Sequence, residues 1–141
     1  MGERGDLTVD VVVVGARVAG SILAAELGAR GWHVLVVDRA TFPSPTMSTH
    51  FFRGSGCAAA LDRLDVLDEV LRLGSPPLVR EYNADALTGD VSVDPPQEPG
   101  EIGFSLSVRR ETLDAVLVDR ARREPTVAVR EGTGLRSLTW E

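Results

Sequence analysis

Val9-Asp10-Val11-Val12-Val13-Val14-Gly15-Ala16-Arg17-Val18-Ala19-Gly20-Ser21 is the stretch that decides the fold. Residues 9–14 form an almost unbroken β-branched run, the pattern of a parallel strand buried on both faces. Gly15 breaks the run. Residues 18–30 then follow helical spacing, with Val18, Ile22, Ala25 and Ala29 on one stripe and Gly31 placed at C′ to end the helix. Trp32 after it reads as a packing anchor. Residues 33–37 predict a second apolar strand, closed by Asp38-Arg39. Strand, helix and strand within about thirty residues make a βαβ unit, whose crossover is right-handed.

The turn Gly15-Ala16-Arg17-Val18-Ala19-Gly20 carries the chemistry. In the dinucleotide fingerprint, Gly-x-Gly-x-x-Gly stands between strand and helix, with an acidic residue about 20 positions further on. Gly15 suits the tight turn, Gly20 lets the helix pack closely on the strand, and Ala24 continues that smooth face. The helix N-terminus presents N–H donors and the positive end of its dipole to a pyrophosphate. Gly15, Ala16, Arg17, Val18, Ala19 and Gly20 are therefore candidate cofactor-binding residues. Asp38, at the end of the second strand, is placed to accept hydrogen bonds from a ribose diol. Arg17 departs from the fingerprint by replacing its middle glycine. A Cβ there costs clearance, yet the guanidinium can pair with phosphate oxygens. The alternative is an Arg17 that points to solvent beside a degenerate site.

Outside the βαβ unit the pattern changes. Residues 40–56 carry Pro43, Pro45, Gly54, Gly56 and several hydroxyl residues, which predicts an irregular loop. Residues 57–73 predict a second amphipathic helix with Ala60, Leu61, Leu64, Leu67 and Leu71 in phase and Gly74 as its stop. Short alternating runs at 78–82, 91–93 and 104–108 predict a meander of antiparallel strands. Residues 110–123 predict a third helix that packs Leu113, Val116, Leu117 and Ala121. Residues 127–129 predict a third parallel strand, and 135–140 begin a new element.

Composition limits the function classes. The 141 residues are one domain's length and can bury a core. A net charge of -6 argues against nucleic acid or an anionic membrane as partner. All fifteen basic residues are arginine, which excludes Schiff-base chemistry and a Walker-A lysine. Cys57 stands alone, so no internal disulfide forms, and no Cys/His cluster has metal-ligand spacing. Cys57 and the loop histidine His50 are read as structural residues. Residues 1–7 lack an apolar signal core, and Glu26 and Arg30 interrupt the longest apolar run, so a cytoplasmic location is expected.

With Ala24 and Gly31 included, Gly15-x-Arg17-x-x-Gly20-x3-Ala24-x6-Gly31 resembles the N-terminus of FAD-dependent oxidoreductases. It looks most like the class A flavoprotein monooxygenases of the p-hydroxybenzoate hydroxylase-like fold and the geranylgeranyl reductase-like enzymes. Asp38-Arg39 is similar to the acidic-basic pair of that group, and Arg110-Glu111-Thr112-Leu113-Asp114 resembles its Arg-x-x-Leu-Asp helix start. The resemblance implies FAD as cofactor, bound with help from Arg39 and with a flavin-nucleotide contact from Arg110. It also implies that the loop from Ser48 to Gly54 brings polar groups, Arg53 among them, toward the FAD.

The implied fold is α/β: a Rossmann-like βαβ FAD-binding unit with an inserted antiparallel β-meander, incomplete relative to the family. Residues 1–77 and 109–141 are then the FAD-binding domain, and 78–108 open the substrate domain. The implied activity is NAD(P)H-dependent flavin monooxygenation of an aromatic or polyketide-like small molecule. NAD(P)H would be a transient co-substrate, and this stretch of chain would hold no catalytic residue. The lack of lysine sets aside the related flavin halogenases, which use a catalytic lysine here. Two alternatives stay open: a truncated nucleotide-binding module without turnover, and an NAD-binding domain, since Asp38 suits either ADP ribose. Unpaired strand edges at 78–108 predict self-association through an unfinished apolar face.

Overall fold

A parallel three-stranded sheet carries the Gly-rich turn. The computed structural model describes residues 8–48, 51–52, 55–73, 77–78, 81–83, 87, 89, 91–93 and 103–140. The chain runs β1 (Val11–Val14), α1 (Val18–Gly28), β2 (Val34–Val37), β3 (Phe51–Phe52), α2 (Ser55–Arg63), α3 (Leu67–Arg72), β4 (Glu81–Asn83), β5 (Val91–Val93), β6 (Leu106–Ser107), α4 (Arg110–Arg122) and β7 (Val127–Arg130). It groups into two units, residues 1–44 with 117–141, and residues 45–116.

In the first unit the strand order is β1-β2-β7, all parallel, from Val11↔Val34↔Val127 to Val14↔Val37↔Arg130. The βαβ unit and the third parallel strand stand where the sequence predicts them. Helix α1 packs on the sheet face that holds Val13, Val34 and Val36, which are buried. The other face corrects the sequence reading: Val12 is 51% and Val14 59% exposed, so β1 is an edge strand with one buried face. A β-branched run signals strand geometry whatever covers its sides.

The buried face of α1 is a second correction. It consists of Ser21, Ala24, Ala25 and Gly28, not the stripe of Val18, Ile22, Ala25 and Ala29. Size decides here, not hydrophobicity. A Cβ on Gly28 would sit 2.5 Å from Val127 Cγ2 and 2.8 Å from Glu124 Cβ. Only small residues let the helix come that close, and the larger Val18 and Ile22 are left half-buried. The helix ends as expected. Gly31 has φ +84, its N–H donates to Gly28 O at 2.8 Å, and the Trp32 N–H donates to Leu27 O at 3.2 Å. These are the two bonds of a Schellman motif. Trp32 itself is 48% exposed, so it is not the packing anchor expected.

The second unit splits the long helix predicted over 57–73. Asp65 takes φ 58, its N–H donates to Asp62 O at 2.8 Å, and the Val66 N–H donates to Leu61 O at 3.0 Å. An aspartate tolerates the left-handed region better than most side chains, so it serves as the C′ residue where glycine is usual. Apolar phase continues across the break, which is why periodicity alone misses it. Strands β4 and β5 form an antiparallel hairpin. Leu78 bridges Ser105 antiparallel, so the first and last runs of the expected meander meet, and β6 pairs in addition with β3, Phe51↔Ser107 and Phe52↔Leu106, inside the segment predicted as loop. A two-residue pairing shows no alternation to detect.

Leu61, Leu106 and Leu113 are fully buried in this unit, each contributing about 1.5–3 kcal/mol by transfer from water. The stripe predicted on α4 is correct throughout, since Leu113, Val116, Leu117 and Ala121 are all buried. Among the described residues no helix is long and apolar enough to cross a membrane.

Close packing of α1 makes a prediction of sign. Gly28→Ala raises helix propensity, yet its methyl must enter occupied space. We expect it to lower unfolding stability by about 1–3 kcal/mol, the usual cost of overpacking, read from the urea midpoint with an unchanged m-value. Stabilisation would contradict the close approach.

Candidate cofactor site

Gly15 has φ +105, a conformation open to glycine and costly for other residues. Its N–H donates to Val37 O at 2.8 Å, which carries the sheet ladder up to the turn. The next N–H, of Ala16, donates to Asp38 Oδ2 at 2.7 Å. The other carboxylate oxygen, Oδ1, accepts the Ala40 N–H at 2.8 Å. Asp38 thus ties the end of β2 to the turn after β1 by charge-assisted hydrogen bonds, the strong kind. From the helix side the Ser21 hydroxyl donates to Ala16 O at 2.6 Å. Gly20 closes the arrangement: a Cβ there would lie 1.8 Å from Gly15 O, so no side chain fits.

Arg17 is the N-cap of α1, with φ −83 and ψ −166, no side-chain cap bond and no acidic residue in the first turn. The N–H groups that open a helix have no intrahelical acceptor, and here they stand at the positive end of the dipole, beside the Asp38 carboxylate that accepts the Ala16 N–H. The Arg17 guanidinium does not run out into solvent. It lies 5.4 Å from the Phe42 ring centroid and donates to Ser44 O at 3.4 Å and Ser44 Oγ at 3.2 Å.

Beside the turn, at the C-terminal ends of β1 and β2, is an open cavity of about 260 Å³. Val14, Gly15, Asp38 and Arg39 form one side, and Thr133, Gly134 and Leu135 the other. This is where open α/β sheets bind ligands. The residues that follow β7 escaped the sequence reading. The Thr133 N–H donates to Asp38 O at 2.7 Å, and a Cβ on Gly134 would come within 2.9 Å of Arg39 Nε. The available signal was their place directly after the third parallel strand. Ser21 was missed too, although a hydroxyl next to the close-packing Gly20 sits on the buried helix face.

The second unit holds Arg110. Its Nε donates to Asp114 Oδ1 at 3.0 Å, its Nη2 to Asp114 Oδ2 at 3.4 Å, and its Nη1 to Ser48 Oγ at 2.8 Å. Asp114 is fully buried. Arg110 also lines a cavity of about 300 Å³ with Pro45, Thr46, Arg109 and Glu111. The half-buried thiol of Cys57 in α2 is pushed up from its ordinary value by burial, against the activation a helix start can give. Arg53 and His50 lie outside the described residues.

A Gly-rich strand-to-helix turn, held to an acidic strand end beside an open cleft, defines a dinucleotide-binding domain of the Rossmann kind. Residues 8–141 match the FAD binding domain family, and the chain belongs to it. Its cofactor is FAD. No curated protein matches the chain.

Among solved structures, the fold is similar to the FAD-dependent chondrochloren halogenase from a myxobacterium, with TM-score 0.81 and 24% identity over 94% of this chain and 30% of that one. It is equally similar to a flavoprotein/dehydrogenase from Cytophaga hutchinsonii, with TM-score 0.81 and 24% identity over 94% of this chain and 32% of that one. The p-nitrophenol 4-monooxygenase of Pseudomonas putida follows, with TM-score 0.76 and 22% identity over 93% and 33%. These are likenesses of fold, including the likeness to a halogenase, the branch set aside above for want of lysine. The chain spans about a third of the length of these structures.

The buried pair at the start of α4 gives a second prediction. Arg110→Ala takes from the buried Asp114 carboxylate the guanidinium that donates to both of its oxygens, and breaking such a buried pair costs about 3–5 kcal/mol. Arg110→Met with Asp114→Leu removes both charges and should restore most of that stability in urea unfolding. A double variant as unstable as Arg110→Ala would show that the charges are not what matters there.

Proposed function

We propose that the turn at residues 15–20, with Asp38 and Arg39, holds the ADP half of FAD. In the same reading the chain is the FAD-binding part of an NAD(P)H-dependent flavin monooxygenase of an aromatic or polyketide-like small molecule. One observation carries the cofactor half: the 2.7 Å hydrogen bond from the Ala16 N–H to Asp38. It places the carboxylate and the helix N-terminus side by side, as a ribose and its adjoining phosphates require. The pyrophosphate then meets the first-turn N–H groups of α1, the ribose diol meets the Asp38 carboxylate, and the adenine takes the cleft beside Thr133 and Leu135. A cleft of about 260 Å³ fits the adenosine end of a dinucleotide, since pockets for whole drug-sized ligands start near 300 Å³. Gly20, with no room for a Cβ, keeps the helix start close enough to serve.

Arg53 and Arg110 belong to the proposed cofactor set through the family resemblance. When bound, FAD supplies the redox chemistry, accepting hydride from NAD(P)H and activating oxygen. The residues of this chain bind it and hold it in place. The monooxygenase reading is supported by the family and by the fold shared with the p-nitrophenol 4-monooxygenase.

Purified protein mixed with FAD and desalted should keep flavin absorption in its visible spectrum. Asp38→Ala should weaken FAD and ADP binding by about 1.5–3 kcal/mol, the range for hydrogen bonds to a charged group, in calorimetric titration. Equal affinities would sink the assignment of Asp38. Residues 1–141 alone should hold FAD without oxidising NAD(P)H, because the chemistry needs a site closed around the flavin. Flavin retention with NAD(P)H oxidation by this chain would contradict that division of labour.

A further inference from the structure

Gly134 and Arg39 both line the cleft beside the Gly-rich turn, one after β7 and the other after β2. The φ of Gly134 lies outside the left-handed region, so its backbone does not call for glycine. What glycine provides there is room for Arg39. A Cβ on Gly134 would lie 2.9 Å from Arg39 Nε, 3.1 Å from Cγ and 3.5 Å from Cδ. Carbon atoms in good contact stand about 3.5–4.0 Å apart, so the arginine stem rests on the Gly134 backbone itself.

The chain beneath that stem is anchored separately. The Thr133 N–H donates to Asp38 O at 2.7 Å and the Gly132 N–H to Ala40 O at 3.2 Å, so backbone bonds hold the residues on either side of Arg39. A methyl group at 134 would displace the arginine stem, which turns about single bonds, before it displaced this backbone. Arg39 is an exposed side chain, and a long cationic stem takes its course from the surface it lies along. Its guanidinium is planar and stacks on aromatic faces, as arginine planes do on nucleic-acid bases.

We propose that Gly134 is a positioning residue for Arg39: by lacking a side chain it lets the arginine lie across the chain after β7, with the guanidinium plane against the adenine of the ADP half of FAD. The inference rests on the reading that the turn binds that half. An arginine whose stem is already laid down has less freedom to lose when the base arrives.

The test is calorimetric titration of the protein and its variants with ADP and with inorganic pyrophosphate, which lacks the base. Gly134→Ala keeps every charge, so its effect is one of geometry. It should lower the ratio of ADP to pyrophosphate affinity about two- to fivefold, the size of an exposed cation–π contact. Arg39→Met should lower the same ratio as far, and as an exposed substitution it keeps the test open whatever Gly134→Ala does to the fold. In the Arg39→Met background Gly134→Ala should have no further effect.

An unchanged ratio in Arg39→Met or in Gly134→Ala would overturn the assignment. So would an equal fall from Gly134→Ala with and without Arg39, because the methyl would then act on the cleft directly. If these variants keep the parent's ratio while Asp38→Ala binds ADP more weakly, the stacking is wrong and the turn reading stands. If Asp38→Ala also binds as the parent does, the turn reading falls and this inference with it.

Discussion

The hydrogen bond between the Ala16 N–H and the Asp38 carboxylate is the constraint on which the rest of the site depends. It joins two points 22 residues apart in sequence across the top of the sheet. It also fixes the direction in which the helix leaves β1. Once it is made, the first turn of α1 and the end of β2 share one rigid corner. The chain after β7 extends that corner, with Thr133 bound to the Asp38 carbonyl. A ligand carrying both a diol and phosphates then finds acceptors and donors already in place, so less ordering is left for the binding step.

Close approach is the second half of the same constraint. Helix α1 lies on the sheet through Ser21, Ala24, Ala25 and Gly28, and Gly20 touches the turn carbonyl so closely that a Cβ would overlap it. Small residues bury little apolar area each, so α1 gives up transfer energy for position. Much of the apolar stabilisation sits elsewhere, in Val34 and Val36 of β2 and in the leucines of α2, β6 and α4. Two arginines are held in place by named contacts: Arg110 pairs with a buried aspartate, and Arg17 lies over the Phe42 ring and donates to Ser44.

The parts of this fold that were legible in the sequence are those set by local geometry. Gly15 and Gly31 announce positive φ, a β-branched run announces a strand, and the 3.6-residue stripe of α4 announces its buried face. Asp38 was legible because strand ends in βαβ units are fixed by the length of the crossover. What stayed hidden depends on distance through space. The face α1 buries is chosen by the room left above Val127, not by hydrophobicity. Asp65 breaks a helix because an aspartate there accepts a left-handed turn. The pairing of β3 with β6 and the meeting of Arg17 with Phe42 join residues whose sequence spacing carries no period.

The central claim is that the turn between β1 and α1 receives the ADP half of FAD. The most direct measurement is a nitrogen-15 amide NMR titration of the protein with ADP. The account predicts that the largest shifts fall on Ala16 through Gly20, with Ala40 and Thr133 responding through Asp38. Saturable shifts confined to other residues, with these amides unmoved, would contradict it.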